Sequence, residues 1–346
     1  MEKVDQTTDI AKTQKFQNMP DVAGEPLGPS VLTEDGFPRK EQIFTSLDWV
    51  GMDGIEIPIR LESQNIAVMA KISAQVSLDL RNSRGIHMSR LYSLIQGNLS
   101  GQNLTLETLI SLCSEFLVTH QGISSSARLH VQYNIPLLRK ALKSELYAYR
   151  VYPVSLLITH LRGEIRVFQE VEILYSSTCP ASAALARQLI SRKFSESFTP
   201  VKAFQNDSLA GGIDMIPLKD VESWLEKENG LFATPHAQRS RALVRIENGA
   251  ENLTEVPFEE LIKMIEMELK TPVQTMVKRE DEQEFALLNG QNLLFCEDAV
   301  RRIGAVLDRS SFKIESYWAR VEHYESLHPH NAVAQISKNW SGSPFL

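Results

Sequence analysis

Cysteine is scarce in this chain of 346 residues: three, at positions 113, 179 and 296. An odd number spread so widely builds neither a disulfide framework nor a CxxC pair, so a reducing compartment, the cytoplasm, is expected. Long apolar runs are also lacking. No stretch approaches the roughly 20 apolar residues that span a bilayer, and the opening MEKVDQTTDIAKTQKF has no apolar core of a leader peptide, so no membrane is expected. Positive charge is in deficit, with 36 Lys and Arg against 43 Asp and Glu, a net charge of −7. That balance argues against a general nucleic-acid surface, though it leaves room for a local basic pocket. GxxxxGK[ST], GxGxxG and HExxH are absent, as is any short internal period, which sets aside the common nucleotide and zinc signatures and solenoid folds.

What is present is an ordinary globular composition, 43% hydrophobic and 23% charged, long enough for one large domain or two. Residues 1–44 are polar and carry Pro20, Pro26, Pro29 and Pro38; they read as a flexible arm before an ordered region at 45–346. A short strand is expected at Gly54–Ile59. From Val68 to Leu80 apolar and polar residues alternate cleanly, the period of a strand with one buried face. Helices are expected up to about Leu99 and over Leu104–Thr119, then strands over Ala127–Ile135, Leu146–Leu161 and Ile165–Tyr175. Arg162-Gly163-Glu164 reads as a tight turn between the last two. The order then repeats imperfectly: a helix over Ala181–Ser191, an irregular insertion at about 192–234 with an amphipathic Leu218–Lys227, and a strand at Arg239–Glu247. A helix at Phe258–Leu269, one long or two short helices over Glu280–Leu307, and a strand at Ser311–Glu322 close it. The expected class is α+β, with antiparallel sheets and helices on one face.

Ser176-Ser177-Thr178-Cys179-Pro180-Ala181-Ser182 is the centre of this arrangement, a cysteine between a strand and the start of a helix. Helix N-terminal amides favour a thiolate there. The plain alternative is a small buried hydrophobe, the role expected for Cys113 and Cys296 within apolar helical runs. Five other stretches hold polar residues that a fold alone does not require. Arg84 to Arg90 (RGIHMSR) puts two arginines, a histidine and a serine at a helix mouth, where phosphate oxygens can be held. His236 precedes a strand, Lys278-Arg279-Glu280-Asp281-Glu282 opens a helix, Glu297-Asp298 follows Cys296, and Glu325 and His328 lie beyond the last expected strand. Each alone is compatible with a solvated surface. Jointly they offer Cys, His and Glu for a three-ligand metal site, although their long separations leave open whether they meet.

Gly51 to Pro58, RGIHMSR, Ser177 to Ser182, His236 to Arg239, Lys278 to Glu282, Phe295 to Asp298 and Glu325 to His328 resemble, in order, the prokaryotic type IB GTP cyclohydrolase I family. The resemblance covers the chain from about Leu47 to beyond His330. It implies a tunnelling fold of two ββααββ-type modules in one chain, assembling into a homotetramer, and conversion of GTP and water to 7,8-dihydroneopterin triphosphate and formate at the entry to folate-type pterins. It implies Cys179, His236 and Glu282 as ligands of Zn(II) or Mn(II), Glu297 as the purine-anchoring carboxylate, and Glu325 and His328 as catalytic positions, His328 as a candidate proton shuttle. His87, Arg90 and Arg239 are the candidates for the triphosphate. The family usually reads Cys-Pro-Cys where this chain has Cys179-Pro180-Ala181, so weakened catalysis is expected. The alternatives are a tunnelling-fold enzyme acting on another purine or pterin, and a protein that binds such a ligand without turnover.

Overall fold

In the computed structural model, residues 45–80, 85–198, 216–228, 230–248, 257–312 and 314–340 are described. The proposed arm and residues 199–215 of the proposed insertion lie outside them.

The first module is β1 (Leu47–Leu61), β2 (Ile66–Leu78), α1 (Met88–Leu99), α2 (Leu106–Thr119), β3 (Ser126–Lys140) and β4 (Tyr147–Leu161). The second starts with β5 (Glu164–Thr178), α3 (Pro180–Phe198), α4 (Leu218–Glu226) and β6 (Ala237–Asn248). It continues with α5 (Phe258–Leu269), α6 (Arg279–Gln291), α7 (Cys296–Asp308), β7 (Ile314–His323) and β8 (Ala332–Lys338). The expected repetition is therefore present. The sheets, however, are one: the eight strands pair antiparallel with their sequence neighbours from β1 to β8. The modules fuse where β4 turns into β5 through Arg162 and Gly163, both at positive φ (51° and 93°), the geometry of a two-residue hairpin turn whose twist suits the strands. The stretch Glu280–Leu307 resolves into two helices, and β8 is a strand additional to those expected.

Alternation sets the faces. Ile72, Ala74 and Val76 of β2 and Leu129 and Val131 of β3 are fully buried beneath α1 and α2, whose Leu91, Ile95, Leu109, Leu112 and Phe116 meet them at helical spacing. In the second module Ala242, Val244 and Val321 take Ile262, Ile265 and Ile303 of α5 and α7 in the same way. Truncating one such residue, Leu112→Ala for example, costs about 2–5 kcal/mol in transfer and cavity terms. The opposite face is polar. Arg241 pairs with Glu172 (2.8 Å), Arg166 with Glu247 (2.6 Å), and the Arg128 guanidinium lies 4.5 Å from the centre of the Trp49 ring.

Strand direction decides what can meet. β5 ends, and β6 begins, at the end of the sheet that also holds the β3–β4 hairpin and the end of β7. The segment leading into α1 leaves β2 at the other end. At about 3.3 Å per residue, the 15 residues of β5 separate the two ends by roughly 45 Å.

Candidate functional site

Cys179 lies one residue past β5 and His236 one residue before β6, and the Thr178–Ala237 pair closes the ladder between them. The Cys179 amide donates to the His236 carbonyl (3.3 Å), and the His236 amide donates to the Ser182 hydroxyl (3.1 Å). Both side chains are half-buried. Ala181 sits in the first turn of α3 and is exposed.

Glu325 reaches the same corner from the end of β7. The Tyr324 amide extends the ladder to the Arg239 carbonyl (3.1 Å), and Gln238 fills the space between Glu325 and His236. His236 Nδ1 lies 2.9 Å from Gln238 Oε1, Gln238 Nε2 donates to Glu325 Oε1 (3.4 Å), and Glu325 Oε2 is 3.9 Å from His236 Nδ1.

Glu297 arrives on α7. The Leu294 amide donates to the Thr178 carbonyl (3.0 Å), which seats the start of α7 beside the end of β5. The Glu297 carboxylate accepts from the Cys296 thiol (3.3 Å). Its own amide N–H first, and that thiol second, hold it below the usual carboxylate range. Glu297 is thus an ionised acceptor pair at a helix N-terminus at neutral pH. Cys296 is buried as expected, but its thiol is also a donor, pushed up to about 11 by burial and by Glu297.

Beneath these residues lies a buried polar group that sequence reasoning did not single out. His323 Nε2 is 2.9 Å from the Tyr175 hydroxyl, its Nδ1 is 3.2 Å from Ser177 Oγ, and Ser177 Oγ is 2.8 Å from Ser240 Oγ. Burial holds His323 neutral, pushed down to about 4, and pushes the Tyr175 hydroxyl up. The available signal was alternation: Tyr175, Ser177, Gln238, Ser240 and His323 are polar residues at strand positions whose neighbours on the same face are core.

The remaining candidates lie elsewhere. Glu282 faces a cleft of about 450 Å³ with Arg239, Leu174, Gln274 and Phe285. His328 is exposed in the β7–β8 connection, stacked on His330 (ring centroids 5.2 Å apart). His87 and Arg90 are at the far end of the sheet. The Arg90 guanidinium donates to the Thr119 carbonyl (2.6 Å), and the His87 ring lies 6.3 Å from that of His120. One chain does not bring them to Cys179.

A single antiparallel sheet of two ββααββ modules, with thiol, imidazole and carboxylates gathered at one strand end, defines an α+β protein of the tunnelling class. The family model described as type I GTP cyclohydrolase folE2 matches residues 35–334. The chain belongs to this family. GTP cyclohydrolase FolE2 of Bdellovibrio bacteriovorus is 46% identical over 324 residues, covering 93% of this chain and 97% of that protein. GTP cyclohydrolase FolE2 of Klebsiella pneumoniae is 44% identical over 300 residues, covering 86% and 94%. Among solved structures, the uricase of Arthrobacter globiformis is similar at 9% identity and a TM-score of 0.45, covering 88% of this chain and 98% of that one.

Family membership implies a divalent metal ion. Among the described residues, no three His, Cys, Asp or Glu side chains are gathered to hold one. Cys179 and His236 are neighbours, and Glu282 lines the Arg239 cleft.

Proposed function

We propose that this chain is a GTP cyclohydrolase I, converting GTP and water to 7,8-dihydroneopterin triphosphate and formate, the entry step of folate-type pterin synthesis. The observation that carries the reading is the convergence of Cys179, His236, Glu325 and Glu297 at one end of the sheet, in a chain 40–46% identical to proteins named GTP cyclohydrolase FolE2. Glu297 supplies two acceptor oxygens for the guanine N1–H and 2-amino group, a pairing that an ionised carboxylate at a helix N-terminus suits. Glu325, held by Gln238, and His328 are the groups to move protons as water adds at C8 and formate leaves. Arg239, in the cleft that Glu282 lines, is the proposed cation for the triphosphate.

Cys179, His236 and Glu282, the last on α6, whose Asn289 accepts from Ser176 Oγ (2.7 Å) at the end of β5, would hold a Zn(II) or Mn(II) ion, which would activate the attacking water. His87 and Arg90 reach a triphosphate only if a second copy presents its opposite sheet end, which favours a homo-oligomer, with a tetramer proposed. Where the family usually has a second cysteine this chain has Ala181, exposed beside Cys179 and unable to donate a proton, so turnover is slow. That residue supports a second reading, a pocket that binds a purine or pterin with little chemistry.

The test is GTP turnover with added Mn(II) or Zn(II), following formate and pterin, for this chain beside Ala181→Cys. Turnover by the cysteine variant that greatly exceeds that of the parent is expected. Failure of both, despite bound metal, rejects the catalytic reading in favour of the binding one.

A further inference from the structure

We infer that Gln238 is a positioning residue through which the Glu325 carboxylate dictates which ring nitrogen of His236 carries its proton. Donors and acceptors decide it. An ionised carboxylate only accepts, so the end of the Gln238 side chain that faces Glu325 Oε1 at 3.4 Å is the NH2 group. That orientation leaves Gln238 Oε1 against His236 Nδ1 at 2.9 Å, and an amide oxygen also only accepts. Nδ1 therefore holds the hydrogen. The second carboxylate oxygen, 3.9 Å from Nδ1, acts in the same sense. The flipped alternative sets the amide oxygen against the carboxylate, two acceptors face to face.

The backbone leaves this chain of three little room to rearrange. Gln238 is 8% exposed and sits in the β5–β6 ladder opposite Ser177. The His236 amide is held by Ser182, and Glu325 follows the Tyr324–Arg239 backbone bond. With Nδ1 committed, Nε2 of a neutral imidazole is the nitrogen left with a lone pair, the one able to act as acceptor, base or ligand. A histidine in a site works as a defined tautomer only when its second nitrogen is engaged, and here a glutamine engages it on instruction from a carboxylate. The importance of that nitrogen rests on the GTP cyclohydrolase reading; the tautomer does not.

The experiment uses the full chain with 15N-labelled histidine at one mildly alkaline pH, read by solid-state NMR, with His236→Asn identifying the signal. His236 is expected as the Nδ1–H tautomer, and this preference is expected to be lost both in Gln238→Met and in Glu325→Gln, where the carboxylate no longer orients the amide. An Nε2–H tautomer in the parent, or retention of Nδ1–H in either variant, overturns the inference. Should Gln238→Met not fold, the parent spectrum and Glu325→Gln decide. In the Ala181→Cys background, Gln238→Met is expected to lower kcat about 10–100-fold at little-changed KM; an unchanged kcat removes the positioning role. If the tautomers behave as stated and no variant turns over GTP, the catalytic reading fails while the inference stands.

Discussion

Asp281 and Ser144 are 137 residues apart in sequence and bound twice. Asp281 Oδ2 accepts the Ser144 hydroxyl (2.6 Å) and Oδ1 accepts its amide (2.9 Å). The same carboxylate takes the amides of Lys143 (2.7 Å) and Lys278 (2.8 Å) and is completely buried. It therefore caps the N-terminus of α6 and ties that helix to the β3–β4 hairpin. The adjacent Glu282 owes its place in the Arg239 cleft to this contact.

Asp281→Asn replaces an oxygen with a donor that faces other donors. A clear fall in thermal midpoint is expected, with faster hydrogen exchange at 141–146 and 278–282. Burial alone would raise the Asp281 carboxyl, but its hydrogen bonds prevail and hold it well below its ordinary 3.8. Its contribution is therefore present at neutral pH and is lost as pH falls below about 4. The variant should lose part of that acid transition. An unchanged midpoint and exchange pattern would show the contact to be incidental.

His323 and His130 make stability depend on pH in a different window. Burial pushes both down to about 4 from an ordinary 6.5, so the unfolded chain binds protons that the folded chain refuses. Stability is full above about pH 6.5 and is lost on acidification toward 4. Each histidine contributes a slope of up to about 1.4 kcal/mol per pH unit. Thermal midpoints between about pH 5 and 7 should fall with acid in the parent and fall less steeply in His323→Gln. Equal slopes would mean that His323 titrates normally.

Glu297→Gln keeps one acceptor and places an NH2 against the guanine donors. Binding of GTP should weaken on the order of 100-fold, while inosine triphosphate, which lacks the 2-amino group, loses less. Calorimetric titration of the two nucleotides reads the difference. Equal losses for both would detach Glu297 from the purine edge.

If a second copy supplies His87 and Arg90, two defective chains can repair each other. In the Ala181→Cys background, Glu297→Gln and Arg90→Ala should each be nearly inactive. Refolded together in equal amounts, they should recover about a quarter of parental activity, the share of sites that draw both intact residues. No recovery above the mean of the separate variants would place the whole site within one chain.

Much of this architecture is legible in the sequence. Val68 to Leu78 alternates because β2 buries one face under α1 and α2, and the repeated module follows from counting such segments. β8 escaped because it is an edge strand whose residues are mostly exposed or half-buried, Val333 at 49%, so burial imposes little pattern on its sequence. The stretches around Cys179, His236, Glu297 and Glu325 mark them in the sequence; the β5–β6–β7 ladder brings three of them to one corner, and the Leu294–Thr178 bond seats α7, with Glu297, beside it. Asp281 was named only as part of a charged helix start, because the partner that gives it meaning lies on another hairpin. Gln238 lies two residues from His236 on an extended segment, which places both side chains on one side; only Glu325, arriving from β7, turns that adjacency into a chain of donors.

The bonds from Cys179 and His236 to each other, and from His236 to Ser182, pinch the chain where it leaves β5 and where it returns to β6. The segment between them, which includes α3 and α4, has its two ends already joined, and lengthening such a closed segment costs only logarithmically in entropy. This segment is therefore a splice point. A reporter domain whose own termini lie close together, inserted between α3 and α4, should leave the bonds joining Cys179, His236 and Ser182 in place.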